Sequence, residues 1–214
     1  VVIDAFQEGY HIQGVHPELV AAMDERLERY RFCGDHSVAT APFGAANLGE
    51  ASEGQLIEAI RGLPATFPAV GDAMPRFEEL LGGLRDDSGQ PVFPAGLTPR
   101  LLLQQALREC WAAKGLDTSA LTDNQLTDNH FWILFPNFFM TIHAGEATVI
   151  VATPHPDGDP GRCFWHVMNL QWFAPEERAA KFTPVTQVPE GGHYEYFLEL
   201  EQDYEQMQAQ QRGL

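Results

Sequence analysis

Asp128-Asn129-His130-Phe131-Trp132-Ile133-Leu134-Phe135-Pro136-Asn137-Phe138-Phe139-Met140-Thr141-Ile142-His143 opens the stretch on which the fold class turns. Aromatic and β-branched residues crowd 131–135, 138–143, 147–153 and 164–173, as strands require. Pro136-Asn137, Ala144-Gly145-Glu146 and the run 156–161 punctuate them as turns. Short turns between such runs predict an antiparallel meander. Outward from this block the pattern changes. Positions 199–211 have helical spacing, and 1–31 read as helix with Pro17 at a helix start. Between them, 32–128 is broken repeatedly by Gly and Pro, leaving short helical patterns at 55–61, 76–84 and 99–114. Helix, irregular stretch, antiparallel sheet and closing helix make an α+β order, not the alternation of α/β. The irregular part, about 34–127, reads as an insertion that forms a lid or pocket wall.

The chain of 214 residues is long enough for one domain with a sizeable core, and 44% hydrophobic residues can supply it. With 13 Lys+Arg against 30 Asp+Glu, the net charge of −17 would repel a nucleic-acid backbone or an anionic membrane surface. No run reaches the roughly 18 apolar residues of a membrane span. Cys33, Cys110 and Cys163 are scattered and odd in number, without the spacing of a disulfide framework, a zinc knuckle or an iron–sulfur site. Reduced thiols and a cytoplasmic location are the expectation.

The N-terminal run Glu8-Gly9-Tyr10-His11-Ile12-Gln13-Gly14-Val15-His16-Pro17 holds two imidazoles five residues apart. On an ideal helix such a pair is about 140° from eclipsed, so one face cannot carry both. A break at Gly14 or a widened turn before Pro17 would let both point to one centre. Neutral imidazole suits iron, zinc and copper. Spacing alone leaves open the alternative of one buried and one solvent-facing His.

The whole run from Val2 to Pro17 resembles the iron-binding segment of the Rieske-type ring-hydroxylating oxygenases, in the catalytic domain of their α subunit. The closing run Leu198-Glu199-Leu200-Glu201-Gln202-Asp203-Tyr204-Glu205, ending Gln211-Arg212-Gly213-Leu214, resembles that family's last helix, and the block from Asp128 to Asn137 its first central strand. The stretch 34–127 carries little of the likeness.

The resemblance implies a helix-grip fold, an antiparallel sheet around a long C-terminal helix, and a mononuclear Fe(II) bound by His11, His16 and Asp203. Spacing alone does not exclude the nearby acids Glu199, Glu201 and Glu205, and only the motif selects Asp203. It implies that Glu8 is an electron-transfer bridge between the iron and a Rieske cluster; Asp is common at this position, and Glu is one methylene longer. Substrate-lining positions follow as Asp4, Ala5, Gly9 and Ile12 beside the ligands, Phe131, Ile133 and Phe135 alternating along a strand, and His193 ahead of Asp203. The implied reaction is hydroxylation of an aromatic or other hydrophobic substrate with O2, as dioxygenase or monooxygenase. The 2Fe-2S Rieske cluster is expected on a missing domain or a partner chain, fed by a reductase or ferredoxin, and a homotrimer is a possible assembly. The start at Val1 without Met reads as a catalytic domain cut from a longer subunit, or a natural split form. Two rivals stand beside this reading: a metal-free module of the same fold that binds hydrophobic ligands, and a degenerate, non-catalytic oxygenase domain.

Overall fold

The computed structural model describes residues 2–45, 51–143 and 145–213. Six strands, β1 (Arg29–Cys33), β2 (His36–Pro42), β3 (Asp128–Leu134), β4 (Phe138–His143), β5 (Glu146–Pro154) and β6 (Cys163–Gln171), form one antiparallel sheet in chain order. The helices are α1 (Ile12–Val15), α2 (Glu53–Gly62), α3 (Pro68–Gly71), α4 (Met74–Gly82), α5 (Pro99–Ala113), α6 (Asp123–Thr127), α7 (Arg178–Lys181) and α8 (Leu198–Gly213). The α+β class, the meander 128–171 and the closing helix all agree with the sequence reading.

Register sets the faces of the sheet. Ala39 pairs with Phe131, Phe131 with Thr141, and Thr141 with Thr148, while Ile133 pairs with Phe139 and Phe139 with Ile150. Because side chains alternate with period two, these residues share one face. Four of that face's neighbours, Ile133, Phe139, Ile150 and Leu200 of α8, form a small buried cluster, flanked by Phe6, Phe131, Trp165 and Phe197.

Two expectations are corrected. Residues 1–31 are not one helix. They form a 3-10 turn at Asp4–Phe6, the single turn of α1, a second 3-10 turn at Glu25–Leu27, and then β1. Pro17 is the reason for the early stop: it drives the preceding residue out of the helical region, and His16 sits at φ −120°, ψ 66°. Asp24 accepts from the Arg26 N–H and caps the next turn. The β1–β2 hairpin, which the sequence reading did not assign, turns on Gly34 at φ +63°, a left-handed conformation that favours glycine.

The stretch 34–127 is also more ordered than an irregular insertion. Its helices carry most of the larger core, which includes Ile60, Phe77, Leu81, Leu103, Leu107 and Trp111. Ser52 and Thr122 start α2 and α6 with capping boxes, and Thr98 caps α5 ahead of Pro99. The Ser-x-x-Gln and Thr-x-x-Gln signals of α2 and α6 lie in the chain beneath the Gly and Pro breaks. Among the described residues, no helix is long and apolar enough to cross a membrane.

Candidate metal centre

The first half of the centre is irregular backbone held by carboxylates. Glu8 bonds His11 twice: Oε1 lies 2.8 Å from ring Nδ1, and Oε2 accepts the His11 backbone N–H at 3.1 Å. This holds the ring at the entrance to α1, where His11 is the N-cap. Glu28 accepts the Gly9 N–H at 3.1 Å and the Tyr30 hydroxyl proton. A Cβ on Gly9 would stand 2.0 Å from Glu28 Oε1, so any side chain here would push the Glu28 carboxylate aside. Burial pushes the Glu28 carboxyl above its ordinary pKa, and the two donors oppose that shift.

The second half is a regular helix. α8 buries Glu199, Leu200, Asp203 and Met207, positions that fall on one face at helical spacing. That face brings Asp203 to the two imidazoles. Asp203 Oδ1 is 3.0 Å from His16 Nε2 and 3.6 Å from His11 Nε2. The rings stand edge to face, with centroids 5.2 Å apart. One ligand atom from each of the three residues lies within 4.8 Å of the others. The ideal-helix objection is thus resolved by a break, which falls at His16 and not at Gly14.

Ligand atoms about 2.1 Å from one ion and at right angles to one another lie about 3 Å apart. The spacings to Asp203 are close to this, and two imidazoles with one carboxylate are a set that holds Fe(II) with positions left open. The three residues could therefore hold a divalent metal ion. His16 and Asp203 are almost sealed from solvent, while His11 and Glu8 are each about one-fifth exposed, so the centre opens on the Glu8 side.

Gln202 fixes the other ring. In the amide orientation that satisfies its neighbours, its nitrogen faces Glu18 Oε1 at 2.8 Å, the Val15 carbonyl at 3.2 Å and His16 Nδ1 at 2.7 Å. His16 then donates from Nε2 to Asp203. Burial lowers the tendency of this ring to charge, but the bond to Asp203 and the charges of Asp203 and Glu18 oppose it, and the pKa lies above the ordinary imidazole value. A metal entering here must displace the proton between His16 and Asp203, so binding strengthens as pH rises.

Beside the centre lies a cavity of about 100 Å³. Gly9, Ile12 and Phe131 line it, with Phe6, Phe67, Phe139 and Ile150. Phe43, Thr66 and Phe67 show that the 34–127 stretch does supply a pocket wall. The other predicted lining residues lie elsewhere. Asp4 and Ala5 sit on the first 3-10 turn, outside the lining, because no continuous helix aligns them with His11. Ile133 faces inward but is consumed by the small core cluster. Phe135 lies one residue past the end of β3 and is 63% exposed, since the strand's alternation no longer governs it. His193 is more than half exposed and pairs with Glu201 at 3.0 Å, packing against Tyr204 rather than the cavity. Glu28 and Gln202 are not among the sequence candidates, and Glu199, an acid that spacing leaves open as a ligand, lines the cavity instead. Glu199 had a signal, since it precedes Asp203 by one helical turn; Glu28 and Gln202 are placed by contacts no spacing reveals.

Compared with known proteins, the chain matches no family model, no curated protein and no solved structure.

Proposed function

We propose that this chain is the catalytic domain of a Rieske-type non-heme iron oxygenase, in which the sheet and α8 form a helix-grip arrangement. It hydroxylates an aromatic or other hydrophobic compound with O2. The observation that carries the reading is the meeting of His11, His16 and Asp203, from opposite ends of the sequence, beside an aromatic-lined cavity. His11, His16 and Asp203 would hold Fe(II), which when bound supplies the activation of O2 next to the substrate.

The chain's own residues set the conditions for that chemistry. Glu8 and Gln202 hold the two rings in place, the outer partners on which ligand orientation depends. Phe6 stacks on Phe139 at 4.7 Å between centroids and, with Phe131, gives the substrate an apolar wall that excludes water. Glu8, bonded to His11 and partly open to solvent, stands where an electron from a Rieske cluster of another domain or chain would enter. A reductase or ferredoxin would supply that cluster, and a homotrimer would present it from a neighbouring subunit.

The test is anaerobic loading with Fe(II) followed by measurement of bound iron. The wild type should hold about one equivalent, and His11→Ala and Asp203→Ala should lose it. A wild type that takes up no iron overturns the reading.

A further inference from the structure

Glu199 is a buried acid that the metal centre does not use. It lies in the first turn of α8, is 7% exposed and forms part of the cavity wall. Thr66 donates its hydroxyl proton to Oε1. Among the described residues Oε2 has no hydrogen-bond partner, although buried carboxyl oxygens are ordinarily bonded. Phe67, Phe197 and Leu200 line the same cavity and carry no side-chain donor. An acceptor left open at the wall of an apolar cavity is a recognition element for a donor brought by a ligand.

The charges around the cavity say which donor. Glu8, Glu28, Glu199 and Asp203 line it, and among the described residues no Lys or Arg does. An acidic ligand would be buried against like charge, since the two charges of a metal at the centre would not offset the four carboxylates, and this disfavours binding. A neutral or cationic donor meets Oε2 instead. The space of about 100 Å³ is of the order of the ~150 Å³ apolar cavity that takes up benzene, so one ring fills it.

We infer that Glu199 is a specificity-determining residue, and that the ligand is a single-ring aromatic compound carrying an amino or hydroxyl group and no acid. The inference deepens the proposed function by naming the substrate class of its site, and it rests on that reading for the ligand's role as substrate. Oε2 would accept the ligand's N–H or O–H, and the ring would lie against Phe6, Phe131 and Phe139.

The experiment measures binding of benzylamine, phenol, toluene and benzoate to wild type, Glu199→Gln and Glu199→Leu. It is run with metal-free protein and with protein loaded anaerobically with Fe(II). In the wild type, benzylamine or phenol should bind at least about tenfold tighter than toluene, and benzoate weakest, because a site built to bond a donor rejects the analogue that lacks it. Glu199→Leu should abolish that preference while toluene binding is kept or strengthened. Glu199→Gln, which keeps an acceptor oxygen, should retain most of it. Should Glu199→Leu fail to fold, the ligand series on wild type still decides. Toluene binding as tightly as the donors, benzoate binding best, or no probe binding at all overturns the inference. A donor preference in a protein that takes up no iron would leave the inference standing and remove the oxygenase reading. Iron uptake without the preference would do the reverse.

Discussion

The helical layer and the sheet layer of this protein spend their apolar residues differently. Around α2 to α6 a cluster of twenty buried residues forms, whereas the cluster between the sheet and α8 has four. The sheet layer is short of apolar packing because polar groups occupy its interior. Asn129 and Asp203 are buried there, Thr141 donates to Asn129 at 2.5 Å, and Glu199 faces the same cavity. Burying polar groups costs stability even when they are bonded. The difference teaches that most of the packing lies away from the metal centre, with Ile12, Phe43 and Phe67 as the residues shared by the larger cluster and the cavity wall.

The largest effect should come from the helical layer. Phe77, fully buried in α4, should cost about 3–5 kcal/mol as Phe77→Ala, read as a fall in Tm or denaturant midpoint. Iron bound per folded molecule should not change; a parallel loss of iron would break the separation. In the sheet layer, Ile150→Ala should cost nearer 2 kcal/mol, since the residue already borders a cavity, but it should also alter ligand binding there. Glu8→Gln should leave Tm almost unmoved and weaken metal affinity by about 10–100-fold, the usual effect of losing a ligand's outer partner. Unchanged affinity would show that Glu8 does not set the His11 ring.

Smaller effects sharpen the contrast. Ser52→Ala removes a cap on α2 and should cost about 1 kcal/mol by chemical denaturation, with no change at the centre. Glu28→Gln tests the sheet-side junction through pH. The folded pKa of Glu28 is raised, so the stability that follows from its protonation is fully present below the unfolded value of about 4.5 and is lost as pH rises through the folded one. Gln keeps an oxygen for Gly9 and Tyr30 without the buried charge. The variant should therefore gain on the wild type as pH rises from acid to neutral, and a flat difference would rule out burial of that charge.

Strands β3 to β6 were legible because the alternation and turn residues lie within a few positions of each other, as do the helical repeats of α4, α5 and α8. The N-terminal segment misled because Glu18, Leu19 and Ala22 have good helical propensity, while a conformational stop at Pro17 and a hairpin at Gly34 outweigh it. The pattern Tyr30, Phe32 and then Gly34-Asp35 was a hairpin signal that a charged, fully exposed β1 disguised. At the centre, the imidazoles and Asp203 were within reach of the sequence through its motif, but Phe135 and His193 were carried past the point where local spacing predicts direction.

The sequence by itself determined the α+β order, the four C-terminal strands, the closing helix and the residue types able to hold a metal, since these follow from local periodicity and chemistry. Only the tertiary structure decided that His11, His16 and Asp203 meet, that Glu28 closes against Gly9, and that Glu199 is left with an open acceptor. Those facts depend on contacts across as many as 187 residues, and such contacts are set by how two layers pack, not by any pattern within one segment.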